Sequence, residues 1–185
     1  MSGDLVFQRM THERTPPGLA GQVLAASRIF FPDFFTTVRS WEALGDYGDR
    51  VEHLFLLDGD LLAAHLALVW SRAQWNDESA RVLGVAAVFS LPGYRGRGLS
   101  RRLFDCVAEE LDQGAADFGL LFCLPALTRF YGALDWPAFP GRCSYGARAA
   151  PQVLDRTAVR ARWRRGRGGC RPPRGAAVYV GAAIW

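Results

Sequence analysis

The stretch VFSLPGYRGRGLS, residues 88–100, decides the fold because it joins an apolar segment directly to an amphipathic one. The apolar run 81–91 is typical of a strand buried on both faces, and Pro92 ends it. After the loop, apolar side chains recur at helical spacing as far as Leu111, with acidic side chains on the opposite side. The sequence therefore predicts a strand, a glycine-rich turn and a helix in immediate succession.

The glycine-rich turn is a candidate anion site. Gly96 and Gly98 allow close backbone approach, so successive N–H groups can converge on one phosphate at the positive end of the helix dipole. Arg95 and Arg97 add guanidinium charge beside it. The loop alone leaves open a plainer alternative, an ordinary strand-to-helix connection with two solvated arginines.

Strands and helices are predicted around this unit from apolar periodicity and from turn residues. The predicted order is a strand (4–10), a helix (19–31), a short helix capped by Asp33, strands 50–57 and 61–72 around the turn 58–60, a turn at 76–77, the strand 81–91, the helix 99–111, a strand (118–124), a helix from Pro125 to Leu134, a bent strand (136–145) and a terminal strand (176–185). The Arg/Gly/Pro-rich segment 155–175 is expected to be a loop, since its composition is too polar to bury a core.

Length and composition indicate one globular domain over 1–185. The chain has 185 residues, of which 50% are hydrophobic, enough for a sizeable core. No apolar run reaches the roughly 18 residues of a membrane span, and residues 1–10 do not read as a signal peptide, so a cytoplasmic protein without membrane contact is expected. The four cysteines are far apart with no Cys-x-x-Cys pair, so structural thiols and no metal are expected.

The positive charge is concentrated in the tail. Residues 156–185 hold eight of the 22 basic residues and no acidic one. Nucleic-acid binding through this segment is an alternative, because arginines neutralise phosphates. Only Trp163 is interleaved with the arginines of 156–174, so a solvated loop is expected instead.

Two motifs resemble the GNAT superfamily of N-acetyltransferases. The run 95–100, Arg-Gly-Arg-Gly-Leu-Ser, resembles its Gln/Arg-x-x-Gly-x-Gly/Ala cofactor motif, with a serine at the last position. The pairs at 130–131 (Phe-Tyr) and 135–136 (Asp-Trp) resemble those around the family's fourth helix. The resemblance implies an α/β (α+β) GNAT fold, with a mixed central sheet of six to seven strands, a splayed central pair and about four helices.

The resemblance also implies an activity. The chain is expected to move an acetyl group from acetyl-CoA, as co-substrate, to a primary amine of a small molecule, by direct attack in a ternary complex. The backbone of Val88, Phe89 and Ser90 is expected to pair with the pantetheine arm and to polarise the thioester. The pyrophosphate is expected at Arg95, Gly96, Arg97, Gly98, Leu99 and Ser100. GNAT enzymes are often dimers, so a homodimer is a further expectation.

Two residues are candidates for catalysis. Residue type alone favours packing of Tyr131 at a helix edge, whereas its position in the motif matches the family's acid that protonates the departing thiolate. His65 could act as a base toward the amine, and its alternative is a packed, hydrogen-bonded histidine. Cys123 is expected to be structural. No other general base is assigned.

A finer resemblance concerns the acceptor. The segment 58–65 and a chain ending in Trp185 are similar to the aminoglycoside 2'-N-acetyltransferase branch, which implies an aminoglycoside-like amine. That branch has an acidic residue near the position of Ala86. This chain has no acidic residue from 84 to 87, so the alternative is a catalytically degenerate acyl-CoA-binding module.

Overall fold

The computed structural model of the protein describes residues 4–32, 40–75, 78–155, 159–169 and 177–180. Within those residues a mixed sheet of nine strands carries four α-helices. The strands are β1 (Val6–Thr11), β2 (Arg50–Asp58), β3 (Leu61–Trp75), β4 (Glu78–Ser90), β5 (Phe118–Cys123), β6 (Arg142–Tyr145), β7 (Gln152–Val153), β8 (Arg160–Arg165) and β9 (Ala177–Tyr179). The helices are α1 (Pro17–Phe30), α2 (Glu42–Gly45), α3 (Leu99–Asp112) and α4 (Thr128–Gly132).

The sheet is built around an antiparallel meander. Strands β1, β2, β3 and β4 follow one another as antiparallel neighbours. Strand β5 then pairs with β4 in parallel, because α3 carries the chain back across the sheet. Beyond β5 lies antiparallel β8, while β9, β6 and β7 extend the sheet from the far end of β3. This architecture confirms the predicted fold class.

Helix α3 anchors the core because one of its faces is entirely covered by the sheet. Leu103, Val107 and Leu111 have no exposed area, in line with the predicted periodicity. Each such burial is worth roughly 1.5–3 kcal/mol. Glu109 and Asp112 of the same helix face the surface, so the amphipathic pattern determines how α3 sits on the strands.

The expected loop at 155–175 is wrong for residues 160–165. These residues form β8, which pairs with β5 from Arg165 opposite Phe118 to Arg160 opposite Cys123. Trp163 is buried in this strand. Its neighbour Arg162 is buried as well, and the Nε of Arg162 donates to the Trp136 carbonyl at 2.6 Å, so a strand rich in arginine can still pack into the fold.

Two glycines after β8 are required because the backbone there passes very close to that of residues 116–117. A Cβ on Gly166 would lie 2.0 Å from the carbonyl oxygen of Ala116, and one on Gly169 would lie 1.9 Å from that of Asp117. Only glycine fits against those carbonyls. The glycine content of residues 166–169 therefore reflects the packing of this segment against the backbone of residues 116–117.

Other predicted elements lie close to their observed bounds, with two differences. The fourth helix is divided into a 3-10 turn (Pro125–Leu127) and α4, and the bent strand 136–145 is regular only in β6. The cap at Asp33 and the turn at 76–77 lie outside the described residues. None of the helices described is long and apolar enough to cross a membrane.

Candidate active site

The central strands diverge where the site begins. Strand β4 pairs with β5 only from Val82 to Val85, and in the described chain the β5 side of 86–90 faces no further strand. The divergence coincides with a β-bulge: between Ala86 and Phe89 the register against β3 shifts, and Ala87 has φ 46°. A bulge bends its strand and leaves a residue unpaired. The backbone of Val88, Phe89 and Ser90 therefore lines an opening in the sheet.

The glycine-rich turn has the conformation expected of an anion site. Gly96 and Gly98 lie in the left-handed region, at φ 75° and 71°. Gly98 is the N-cap of α3, and within the described chain no side chain caps it. The first helical bond of α3 runs from the Arg102 N–H to the Gly98 carbonyl, at 3.2 Å. The N–H groups of Leu99, Ser100 and Arg101, in the first turn of α3, therefore have no acceptor within the helix and can bind an anion.

A groove of about 650 Å³ joins the diverging strands to this turn. That volume is within the range of small-molecule sites, about 300–1,000 Å³. Eight of the nine residues predicted to hold the cofactor line it: Val88, Phe89, Ser90, Arg95, Gly96, Gly98, Leu99 and Ser100. Arg97 does not; its guanidinium lies 5.5 Å from the ring centre of Tyr94.

Arg95 is held across the mouth of the groove. Its Nε donates to the Ser90 carbonyl at 3.3 Å, and its guanidinium lies 5.4 Å from the ring centre of Phe30. The hydroxyl oxygens of Ser90 and Ser100 are 3.5 Å apart, which joins the end of β4 to the start of α3. The groove thus has a cationic mouth and a hydroxyl pair inside it.

A second, smaller cavity of about 170 Å³ lies deeper in the sheet. Its described walls are mostly apolar and include Val23, Val51 and Phe122. Phe31, Val88 and Tyr131 line both cavities, so the two meet at these side chains. In one wall the buried Oγ of Ser27 has no hydrogen-bond partner among the described residues.

Tyr131 lies at this junction. Its ring packs edge-on against Phe104, with the ring centres 5.8 Å apart, and its side chain is buried. Burial, and to a lesser extent the nearby Cys123 thiol, raises the pKa of Tyr131 well above its usual range. The phenol is therefore protonated at neutral pH, the state that a proton donor needs.

Cys123 lies in β5 close to the same junction. Burial raises the pKa of its thiol, and the charges of Arg162 and Arg160 only partly oppose this. A protonated thiol is a poor nucleophile. These properties suit the structural role expected for Cys123.

His65 lies in β3 beneath the bulge and is fully buried. Its Nδ1 is 2.9 Å from the Ala87 carbonyl oxygen and its Nε2 is 2.9 Å from Nδ1 of His53. Burial lowers the pKa of His65 to about 4, and the bond to Ala87 opposes that only in part. Both ring nitrogens are thus engaged, and the catalytic role of His65 stays a prediction.

Sequence reasoning missed three residues of the site. His12 and His53 continue the hydrogen-bonded line from His65, and Ser27 faces the smaller cavity. They come from separate elements, and no spacing in the sequence relates them. Among the described residues, no group of three or more His, Cys, Asp or Glu side chains is placed to hold a metal ion.

Comparison with known families identifies the class of protein. A family model described as an acetyltransferase (GNAT) domain matches residues 19–139, which is more than half of the chain. The chain belongs to the GNAT acetyltransferase family, and it is accordingly an acyltransferase. No curated protein matches the sequence.

Solved structures share this fold. An acyl-CoA N-acyltransferase from Pseudomonas aeruginosa aligns with a TM-score of 0.59 at 15% identity, over 86% of this chain and 99% of that one. YhbS, a GNAT family N-acetyltransferase from Escherichia coli in complex with CoA, gives 0.59 at 16%, over 97% and 92%. An aminoglycoside 6'-N-acetyltransferase complexed with coenzyme A gives 0.59 at 10%, over 86% and 96%. At such identities the likeness establishes the fold alone.

Proposed function

We propose that this chain transfers the acetyl group of acetyl-CoA to a primary amine of a small molecule, by direct attack within a ternary complex. The observation that carries the proposal is the meeting of two cavities at Phe31, Val88 and Tyr131. One cavity has the size and the anion-binding turn that an acyl-CoA needs, and the other is a compact chamber for the acceptor. The acyl carbon and the amine would meet at their common wall.

The donor is held by backbone and by charge. The N–H groups around Gly96 and Gly98 receive the pyrophosphate, with Arg95 beside them. The pantetheine arm of acetyl-CoA pairs with the free edge of β4 at 88–90, as an added strand would. An N–H group of that edge polarises the thioester carbonyl. The amine nitrogen attacks that carbonyl carbon and forms the amide as the carbon–sulfur bond breaks. Tyr131 donates its phenolic proton to the departing thiolate, the nitrogen releases its surplus proton to water, and the phenolate regains a proton from water before the next turnover.

The acceptor chamber favours a compact, largely apolar amine. A cavity of about 150 Å³ holds a benzene molecule, so the 170 Å³ chamber fits an amine of similar bulk. Within its described lining there is no carboxylate. An aminoglycoside has several rings and several cationic groups, so the chamber gives such an acceptor less support than a compact amine. The free Ser27 hydroxyl is one polar group that an amine could contact.

The test is release of CoA thiol from acetyl-CoA across a panel of small aromatic and aliphatic amines, amino acids, polyamines, peptides and aminoglycosides. Compact apolar amines are expected to give the highest kcat/KM. If acetyl-CoA binds and no amine on the panel releases thiol, the proposal fails in favour of a catalytically degenerate acyl-CoA-binding module. The predicted homodimer, cytoplasmic location, single-domain organisation and lack of nucleic-acid binding are not tested by this panel and stay predictions.

The Tyr131→Phe variant tests the acid. Loss of general acid catalysis is expected to lower kcat by about 100-fold or more. The affinity for acetyl-CoA, measured by calorimetry, should not change. Tyr179→Phe is the matched control, because it removes a hydroxyl that donates to the Gly146 carbonyl away from both cavities. An unchanged kcat in Tyr131→Phe would remove Tyr131 from the mechanism.

A further inference from the structure

All three histidines of the chain form one hydrogen-bonded line in the interior. His12 lies in the short 3-10 turn after β1, His53 in β2 and His65 in β3. Nδ1 of His12 is 3.1 Å from Nε2 of His53, and Nδ1 of His53 is 2.9 Å from Nε2 of His65. Nδ1 of His65 is 2.9 Å from the Ala87 carbonyl oxygen. Their exposures are 6%, 1% and 0%, so water cannot substitute for these bonds.

The carbonyl at the end of this histidine line fixes every proton in it. A carbonyl oxygen only accepts, so Nδ1 of His65 must carry a hydrogen and its Nε2 must accept. His53 then donates from Nδ1 and accepts at Nε2, and His12 donates from Nδ1. Burial lowers the pKa of all three imidazoles and so favours their neutral forms, and neutral rings in this line carry their hydrogens at Nδ1. In this arrangement, a proton added to Nε2 of His65 would point at the N–H of His53 Nδ1, and the hydrogen bond between the two rings would be lost.

The far end of the histidine line is closed off from the site. The ring of His12 stacks on Trp41, with ring centres 4.4 Å apart and planes within 8°, and its Nε2 has no partner among the described residues. Gly45 lies against the same ring: a Cβ there would be 2.9 Å from Cδ2 of His12. The line is thus supported from behind by packing. Two of its rings, His53 and His65, line the smaller cavity, and its hydrogen bond to the backbone of the site goes to the Ala87 carbonyl.

That contact falls on the bulge that shapes the site. Ala87 has φ 46°, which a residue with a side chain rarely adopts, and it lies where the β3–β4 register shifts. The bulge is partly buried, and its Ala87 carbonyl receives a hydrogen bond from a donor outside the strand pairing, Nδ1 of His65. The peptide that contains this carbonyl also contains the N–H of Val88. Holding one end of a planar peptide therefore orients the other.

We propose that His12, His53 and His65 act as a positioning device that holds the Ala87–Val88 peptide, and hence the Val88 N–H, at the junction of the two cavities. The inference rests on the proposed function, since that junction is where acyl transfer would occur. His65 in this account is a positioning residue and exchanges no proton with the substrates. It differs from the predicted base because a base needs a nitrogen lone pair that faces the amine, and both nitrogens of His65 are already bonded.

Two substitutions at one position separate these roles. His65→Asn keeps an N–H donor close to the place of Nδ1, whereas His65→Leu removes the donor and keeps the bulk. Both lose the bond to His53, so the difference between them reports the bond to Ala87. His65→Leu is expected to lower kcat about 10- to 100-fold with little change in the KM for acetyl-CoA, because a displaced catalytic group impairs chemistry more than binding. His65→Asn should recover most of that loss, with an unchanged pH profile of kcat.

The inference is overturned if His65→Asn is as impaired as His65→Leu while both bind acetyl-CoA, or if His65→Asn loses an acidic limb of the kcat profile. Nitrogen-15 NMR of wild-type protein labelled at histidine gives a readout that requires neither folded variants nor turnover. Three neutral imidazoles protonated at Nδ1 are expected at pH 7.5, and an Nε2-protonated or cationic ring would contradict the inference. If no amine is ever acetylated, the proposed function fails while the NMR result still reports the histidine line.

Discussion

At the scale of single residues, Gly45 is a sensitive position because it packs directly against the ring of His12. A Cβ at Gly45 would lie 2.9 Å from Cδ2 and 3.1 Å from Nε2 of His12, so the imidazole or the helix must shift. Gly45→Ala is expected to lower the free energy of unfolding by about 1–3 kcal/mol, although alanine is the better helix former. Urea denaturation at pH 7.5 measures it.

The control for Gly45→Ala is Gly21→Ala in α1, where an added Cβ meets nothing within 4 Å. There alanine should raise the free energy of unfolding by up to about 1 kcal/mol. Opposite signs are therefore expected for the same chemical change. Stabilisation by both variants would mean that His12 is loosely enclosed.

Ser27 offers a second test at this scale, because its buried Oγ has no described partner. Ser27→Ala removes an unsatisfied hydroxyl, so stability should stay equal or rise. If the acceptor uses that hydroxyl, the KM for the amine should rise by about tenfold, as for one lost hydrogen bond. Steady-state kinetics and thermal denaturation measure both effects, with Ser71→Ala as the control away from the cavity. A KM unchanged by Ser27→Ala would exclude the contact.

At the scale of elements, the unit from β4 through the glycine-rich turn to α3 could be predicted because its determinants are local. An apolar run, two glycines with positive φ and an amphipathic repeat lie next to one another in the chain. Strand β8 could not be predicted in this way, since its pairing partner β5 is distant in sequence and arginine dominates its composition. The histidine line was equally inaccessible, because it depends on how β1, β2 and β3 register against each other.

Strand β8 can be tested through its buried face. Trp163 packs into the core, so Trp163→Ala is expected to lower the free energy of unfolding by about 3–5 kcal/mol. Arg165 in the same strand is exposed, and Arg165→Ala should change it by less than about 0.5 kcal/mol. Chemical denaturation of the two variants separates a docked strand from a solvated tail. Equal, small effects would contradict β8.

At the scale of the whole molecule, the buried histidines make stability depend on pH. Burial, with smaller contributions from the neighbouring imidazoles, lowers the pKa of His53 to about 2, and burial lowers that of His65 to about 4. In the unfolded chain both titrate near pH 6.5. Above that pH neither state binds the protons and stability is level. Below that pH the two histidines bind protons in the unfolded state but not in the folded state, so the free energy of unfolding falls as the pH falls.

The expected slope is about 1.4 kcal/mol per pH unit for each histidine, or about 3 kcal/mol for the two together, between pH 6 and 5. Burial also lowers the pKa of His12, although nearby carboxylates partly oppose this; they belong to Glu13, Glu42 and Asp46. Most carboxylates titrate below this window, so the histidines dominate in it. Urea denaturation from pH 7.5 to 5 measures the slope, and constant stability over that range would contradict it.

In the proposed reaction, the wall that Phe31, Val88 and Tyr131 give to both cavities would link the sizes of the two reactants. A longer acyl chain on the donor would extend past the thioester into the chamber that the amine needs. Propionyl-CoA and butyryl-CoA should therefore bind well, but each added carbon of the acyl chain should reduce the size of the amine that can be acylated beside it. Selectivity for two-carbon donors would then arise from competition for space within the enzyme, with no residue dedicated to measuring the chain.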